Sequence, residues 1–231
     1  MSRITTEPSL GDEPPLSDGS GLSVASGRHA DQVIDGRAAL GRLRRLSRLD
    51  ASVFSEVRGD SSQTLGAVLV AIGAIILSAV GGWLWLISEF DGLSTGRIVL
   101  REFFLGSLIA VALWSLWVVA AQTMLASVFR RSTSRGALFR TMGYATAPAA
   151  GAMLMVIPAV GFAAGLVSIV AWFAASNVAI ESAAPDATRR EVLVANTAGF
   201  TVFAILSAVL ADAAGLAPGF FAQGADLGVF V

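Results

Sequence analysis

The stretch Arg140–Gly161 reads RTMGYATAPAAGAMLMVIPAVG. It is apolar almost throughout, yet it carries Pro148 and Pro158, ten residues apart. Proline removes a backbone donor and collides with the carbonyl one turn back. The stretch belongs to a longer run, Thr141 to Ile180, forty residues without a charge. One helix of that length would extend about 60 Å, twice a bilayer's hydrocarbon core. The run must fold back. Pro158-Ala-Val-Gly161 is its best turn signal. The expectation is a tight helical hairpin, span three over 140–157 and span four over 162–181. Pro148 falls in mid-span and predicts a kink, which lipid tolerates when neighbours satisfy the freed carbonyl. That carbonyl belongs to Tyr144, with Thr146 at hand to help.

The rest of the chain points the same way. Of 231 residues, 55% are hydrophobic and 14% charged, against about 25% charged in soluble domains. Span one, Leu65 to Ser88, and span two, Phe103 to Phe129, contain no charge. Both exceed the roughly 20 residues a crossing needs. Span five runs from Ala195 to about Leu216, with Asp212 near its far end. The expected fold is all-α: a polytopic membrane protein with a five-helix transmembrane bundle over 65–216.

Ahead of the bundle, residues 1–32 are rich in Pro, Gly, Ser and acid and read as a disordered tail. The tail lacks the basic start and apolar core of a secretory signal. Residues 33–58 read as an amphipathic helix: Leu40, Leu43, Leu46, Leu49, Val53 and Val57 recur every three or four residues, with arginines between. Such a helix lies in the headgroup layer with its arginines toward anionic lipid. Alternatively it packs on its own bundle or on a partner. Arg42, Arg44, Arg45 and Arg48 are the candidate contacts.

Orientation follows from arginine. Eight precede span one, four lie between spans two and three, and two lie between spans four and five, fourteen in all. Only Arg97 and Arg101 fall on the other side. This asymmetry predicts a cytoplasmic N-terminus, an outer C-terminal tail over 217–231, and residence in the cell membrane. Trp83, Trp85, Phe103 and Phe104 suit an aromatic belt at the outer face.

Several chemistries are excluded. There is no cysteine, so thiolate nucleophiles and thiolate metal sites are absent, and no lysine for a phosphate loop. The lone histidine, His29, lies in the polar tail. No mid-span ionisable group marks a proton path. No metal, cofactor or nucleic acid is expected, and no enzymatic activity. The segment ESAAPDATRREV, with Glu181, Asp186 and Glu191, reads as a solvated loop and helix start. Gly143, Ala147 and Gly151 repeat every four residues, as do Ala171, Ala175 and Ala179. Such small residues bring helices close, within one chain or between two copies.

The body of the chain resembles the Yip family, small membrane proteins named for interacting with Ypt/Rab GTPases and found also in prokaryotes. RLDASVFSEVRGDSSQT resembles the pre-membrane segment of prokaryotic members. GYATAPAAGAMLMVIPAVG resembles the family's third span, in the motif positions Gly143, Tyr144, Pro148, Pro158 and Gly161. FAAGLVSIVAWFAASNVAIESAA, a short polar loop and a last span resemble its end. The likeness covers about 40–216. It implies a five-helix membrane domain. Taken with the basic amphipathic segment and the charge-free spans, it leads to the expectation of a protein that organises protein partners or lipid at the cytoplasmic face, and the small-residue repeats leave a homo-oligomer open. The alternative is a passage for a small solute or ion, built around Pro148 and the polar residues of span two, Gln122 among them.

Overall fold

The structure, a computed structural model, describes residues 36–89, 103–157 and 159–214. The expected tails, the loop bearing Arg97 and Arg101, and Pro158 lie outside the described residues, as does the Asp212 side chain. Among the described residues every regular element is helical. Helix α1 is Gly36–Leu46, α2 Ser52–Gly59, α3 Thr64–Glu89 and α4 Gly106–Thr123. Helix α5 is Arg135–Ala145, followed by a 3-10 segment over Ala147–Val156; α6 is Gly161–Ala183 and α7 Arg189–Ala214.

Four helical stretches are long and apolar enough to cross a membrane: Ser61–Trp85, Phe103–Val128, Gly161–Ala183 and Arg189–Ala211. They are not amphipathic in the soluble sense. Leu108, Val167, Val170, Ile205 and Val209 are all more than half exposed on their outer faces. Contiguous apolar surface on this scale belongs to a protein solvated by lipid. The chain has the architecture of a multi-pass membrane protein.

The expected third span is not one kinked helix. Its α-helical part stops at Ala145, and the ten residues Ala147–Val156 wind as a 3-10 helix. Proline disfavours α geometry in the residue before it, so the α-helix ends ahead of Pro148. Pro148 then sits in the first turn of the new helix, where no N–H is required of it. A 3-10 helix repeats every three residues. Burial follows that period: Ala149, Ala152 and Met155 face the core, while Met153 and Leu154 face out. Thr146 helps at this end as expected, its N–H reaching the Gly143 and Tyr144 carbonyls while its hydroxyl bonds the Met142 carbonyl at 3.0 Å. Val160 donates to the Ile157 carbonyl at 3.1 Å in the turn that leads into α6.

The core is aromatic. Trp117 of α4 packs against Trp172 of α6 at 5.1 Å between ring centroids, and against Phe200 of α7 at 5.2 Å. Asn196 is fully buried among them. It accepts from the Trp117 indole at 3.0 Å and donates to the Phe173 carbonyl at 3.1 Å. Three helices are thereby tied through one side chain, and both polar atoms of Asn196 find a partner. Helix α3 lies along α5 and the 3-10 segment, which in turn pack on α6; α4 pairs with α7.

The expected single helix over 33–58 is two helices. The break is at Ser47–Ala51, where Leu49 has φ 63°. The Asp50 carboxylate accepts from the Ser52 N–H at 3.0 Å and starts α2. A leucine in left-handed backbone costs about 1–2 kcal/mol. Here it leaves the side chain 92% exposed.

Candidate functional site

The two short helices sit on one end of the bundle and are fastened there by identifiable groups. Val53, Phe54 and Val57 of α2 are buried against it. Arg140 of α5 is 9% exposed, and its guanidinium donates to the Val57 carbonyl at 2.9 Å and the Arg58 carbonyl at 2.6 Å. These are the last carbonyls of α2, which have no acceptor role inside the helix and lie at its negative end. Arg58 in turn donates to the Ser182 carbonyl at 3.0 Å, next to the end of α6. Nearby, Arg131 holds Glu191 through two bonds of 2.9 and 3.1 Å. Glu191 also forms a capping box with Thr188 at the start of α7. The polar loop over 184–188 is therefore bound to the loop after α4 through Glu191, and not simply solvated.

The four candidate arginines divide into two pairs. Arg42 bonds Glu56 at 2.8 Å and Gln63 at 2.7 Å. Arg45 bonds Asp50 at 2.9 Å, Glu56 at 2.8 Å and Ser52 at 2.8 Å. Both are spent on holding α1 to α2. Arg44 and Arg48 are exposed, and neither guanidinium has a bonding partner among the described residues. They are the two arginines offered outward. Leu43 and Leu46 face the bundle, and Leu40 is exposed beside the arginines. Packing on the bundle describes α2; α1 remains open on one side.

This latch titrates. Its bonds to Ser52 and then to Arg45 hold the Asp50 carboxyl down from 3.8 to about 2. Glu56 is lowered from 4.5 by Arg45, then Arg42. Carboxyls with depressed values stabilise the latch above their ordinary range and lose that contribution as pH falls through the folded values. A nitroxide pair at Leu40 and Ser55 is expected to keep one narrow distance from neutral pH to about pH 5 and to broaden between about pH 4 and 2. An unchanged distribution at pH 2 would show that these ion pairs do not hold α1. Exposed pairs of this kind contribute little to the stability of the whole, so the bundle itself should stay folded.

Beneath α1 runs an apolar groove of about 1050 Å³. Leu43 and Leu49 form its upper lip, Leu69 and Gly73 of α3 one wall, Pro148 and Ala174 the other. Tyr144 closes one side. Its hydroxyl is buried beside Gly66 and makes no hydrogen bond. The nearby Arg42 guanidinium loses some stability to burial, but Glu56 and then this hydroxyl favour its charge and raise its pKa.

The remaining motif positions act in packing. Gly143 faces Ala67 of α3 and Gly151 faces Ser168 of α6, so the small-residue stripe brings helices of one chain together. Gly161 abuts the Met155 carbonyl. Gln122 donates to the Thr133 carbonyl at 3.5 Å, and Ser115 and Thr123 bond carbonyls of their own helix. Arg140 escaped sequence reading. Counted among loop arginines, it looked like a topological charge; the signal available was its place at the start of an apolar run.

Compared with protein-family models, with curated proteins and with solved structures, the chain matches none of them.

Proposed function

We propose that the chain is a non-enzymatic, five-span membrane protein of the Yip type that organises lipid or protein partners at the cytoplasmic face. The observation that carries this is the division of the arginines. Arg42 and Arg45 fix α1 on the bundle, and Arg44 and Arg48 are left outward with Leu40 and Leu49 beside them. A basic, leucine-bearing helix parked at the end of a bundle is suited to anionic headgroups.

Five crossings are supported by where the ends meet. Val57 bonds Arg140, Arg58 bonds Ser182, and Arg131 bonds Glu191, so three arginine-bearing segments share one end. Helix α6 has 23 residues and returns to that end, so it starts at the other. The chain between Arg140 and Gly161 must then travel the full thickness. The α-helical residues 140–145 and the ten of the 3-10 segment together cover about 29 Å, close to the hydrocarbon thickness. The 3-10 winding lets a short segment reach across. The arginine excess at that end favours the cytoplasm.

The test is depth. Nitroxides at Leu40, Arg44, Leu49 and Arg48, in nanodiscs containing anionic lipid, should place the leucine positions below the headgroups and the arginine positions at them. Water-exposed values at all four would remove lipid from the proposal. Single cysteines at Ala159 and Ala187 test the topology: labelling from outside at Ala159 alone fits five spans, and the reverse pattern would end the five-span reading.

A further inference from the structure

We propose that the groove beneath α1 holds one acyl chain of an anionic phospholipid taken from the leaflet on that face, with the headgroup at Arg44 and Arg48. The inference rests on the membrane-surface reading above and makes it specific. Three independent observations meet at this place. The first is the space. A volume of about 1050 Å³ matches the upper end of the roughly 300–1,000 Å³ found for small-molecule sites. Its walls come from α3, the 3-10 segment and α6, and are almost wholly apolar. A Cβ placed on Gly73, in one wall, meets nothing within 4 Å. An apolar trough of this kind, continuous with lipid-facing helices, suits hydrocarbon.

The second is charge. Arg44 and Arg48 are next to the lip residues Leu43, Ser47 and Leu49, and their guanidiniums are unpaired while every other arginine of the latch is paired. A phosphodiester is the complementary group, since guanidinium binds phosphate oxygens in bidentate fashion. The third is the backbone at Leu49. It adopts φ 63° and leaves the side chain 92% exposed at the mouth of the groove. Strain at an exposed apolar residue is retained where the residue has a use, and here it would flank the bound chain. A soluble peptide would not need a trough sunk among lipid-facing helices.

The full-length protein is reconstituted in vesicles of equal phosphatidylglycerol and phosphatidylcholine, extracted in mild detergent and delipidated stepwise. Native mass spectrometry then counts retained phospholipid. The expected result is one tightly held molecule per chain, predominantly phosphatidylglycerol. Gly73→Phe, which fills the trough, should lose it, and Gly73→Ala should keep it. Ala174→Phe blocks the opposite wall and covers the case in which Gly73→Phe misfolds. Arg44→Gln with Arg48→Gln should keep an occupant but lose about 30-fold in its preference for phosphatidylglycerol, at about 1 kcal/mol per arginine. Wild-type protein that retains no lipid, or trough-filled variants that retain as much as wild type, would overturn the proposal. Nitroxides at Leu40 and Leu49 that lie below the headgroups, with no lipid retained, would sink the groove alone and leave the surface reading standing.

Discussion

Arg140→Met is expected to release α2 from the bundle and to lower the unfolding free energy by about 2–4 kcal/mol. The guanidinium is nearly buried, and its bonds of 2.9 and 2.6 Å go to the Val57 and Arg58 carbonyls. A third contact, 3.4 Å, reaches the Thr64 hydroxyl. No carboxylate forms an ion pair with it among the described residues. The charge is stabilised by carbonyls and by the negative end of α2. Methionine fills similar space but leaves two buried acceptors bare, and that desolvation is the larger part of the cost. Arg140→Lys should recover part of the loss, since an ammonium reaches one carbonyl but cannot fork between two. The readouts are the thermal midpoint in detergent and the labelling of a single cysteine at Val57, which is 0% exposed. An unchanged midpoint with Val57 still protected would show that α2 is held by its apolar face alone.

How much of this was visible beforehand depends on range. Charge-free runs longer than a membrane crossing are local facts; they located α3, α4 and α6 closely, whereas α7 starts at Arg189, six residues before the expected Ala195, because its first turn carries charge. The break at Pro148 was visible too, but its form was not. A kinked α-helix and a change to 3-10 winding remove the same hydrogen bond. What separates them is the packing of Ala149, Ala152 and Met155 at a spacing of three, which requires α3 and α6 to be in place. The division of the arginines was similarly out of reach. Arg42, Arg44, Arg45 and Arg48 look alike in sequence. Only the turn at Leu49, which folds α2 back under α1, brings Glu56 to Arg42 and Arg45 and leaves the other two outward. The groove has no sequence signature, because its lip and walls come from α1, α3, the 3-10 segment and α6, far apart in the chain.

Gly81→Ala and Gly143→Ala are each expected to cost about 3 kcal/mol, the upper end for overpacking, although alanine is the better helix former by about 1 kcal/mol. On α3, a Cβ at Gly81 would strike the Ala152 carbonyl oxygen and lie 2.6 Å from the Met153 Cα. On α5, a Cβ at Gly143 would lie 2.6 Å from the Ala67 carbonyl oxygen and 2.9 Å from the Ala67 Cβ. The obstacles are almost all backbone, so no side chain can swing aside and the helices must separate. Separation is costly in lipid, where close packing and not water exclusion holds helices together. The two sites lie toward opposite ends of the same α3 face. Once one change pries α3 away, the other glycine has less contact to lose, so the double variant should cost less than the two singles added. Gly73→Ala is the control on the same helix, and with nothing within 4 Å of its Cβ it should be neutral or stabilising. Thermal midpoints in detergent decide this, read beside the mass of the protein–detergent complex. A loss of midpoint at constant mass assigns the small residues to packing within one chain. A change of mass with the midpoint preserved would move them to an interface between two copies, and the fit of α3 against the 3-10 segment would then need another explanation.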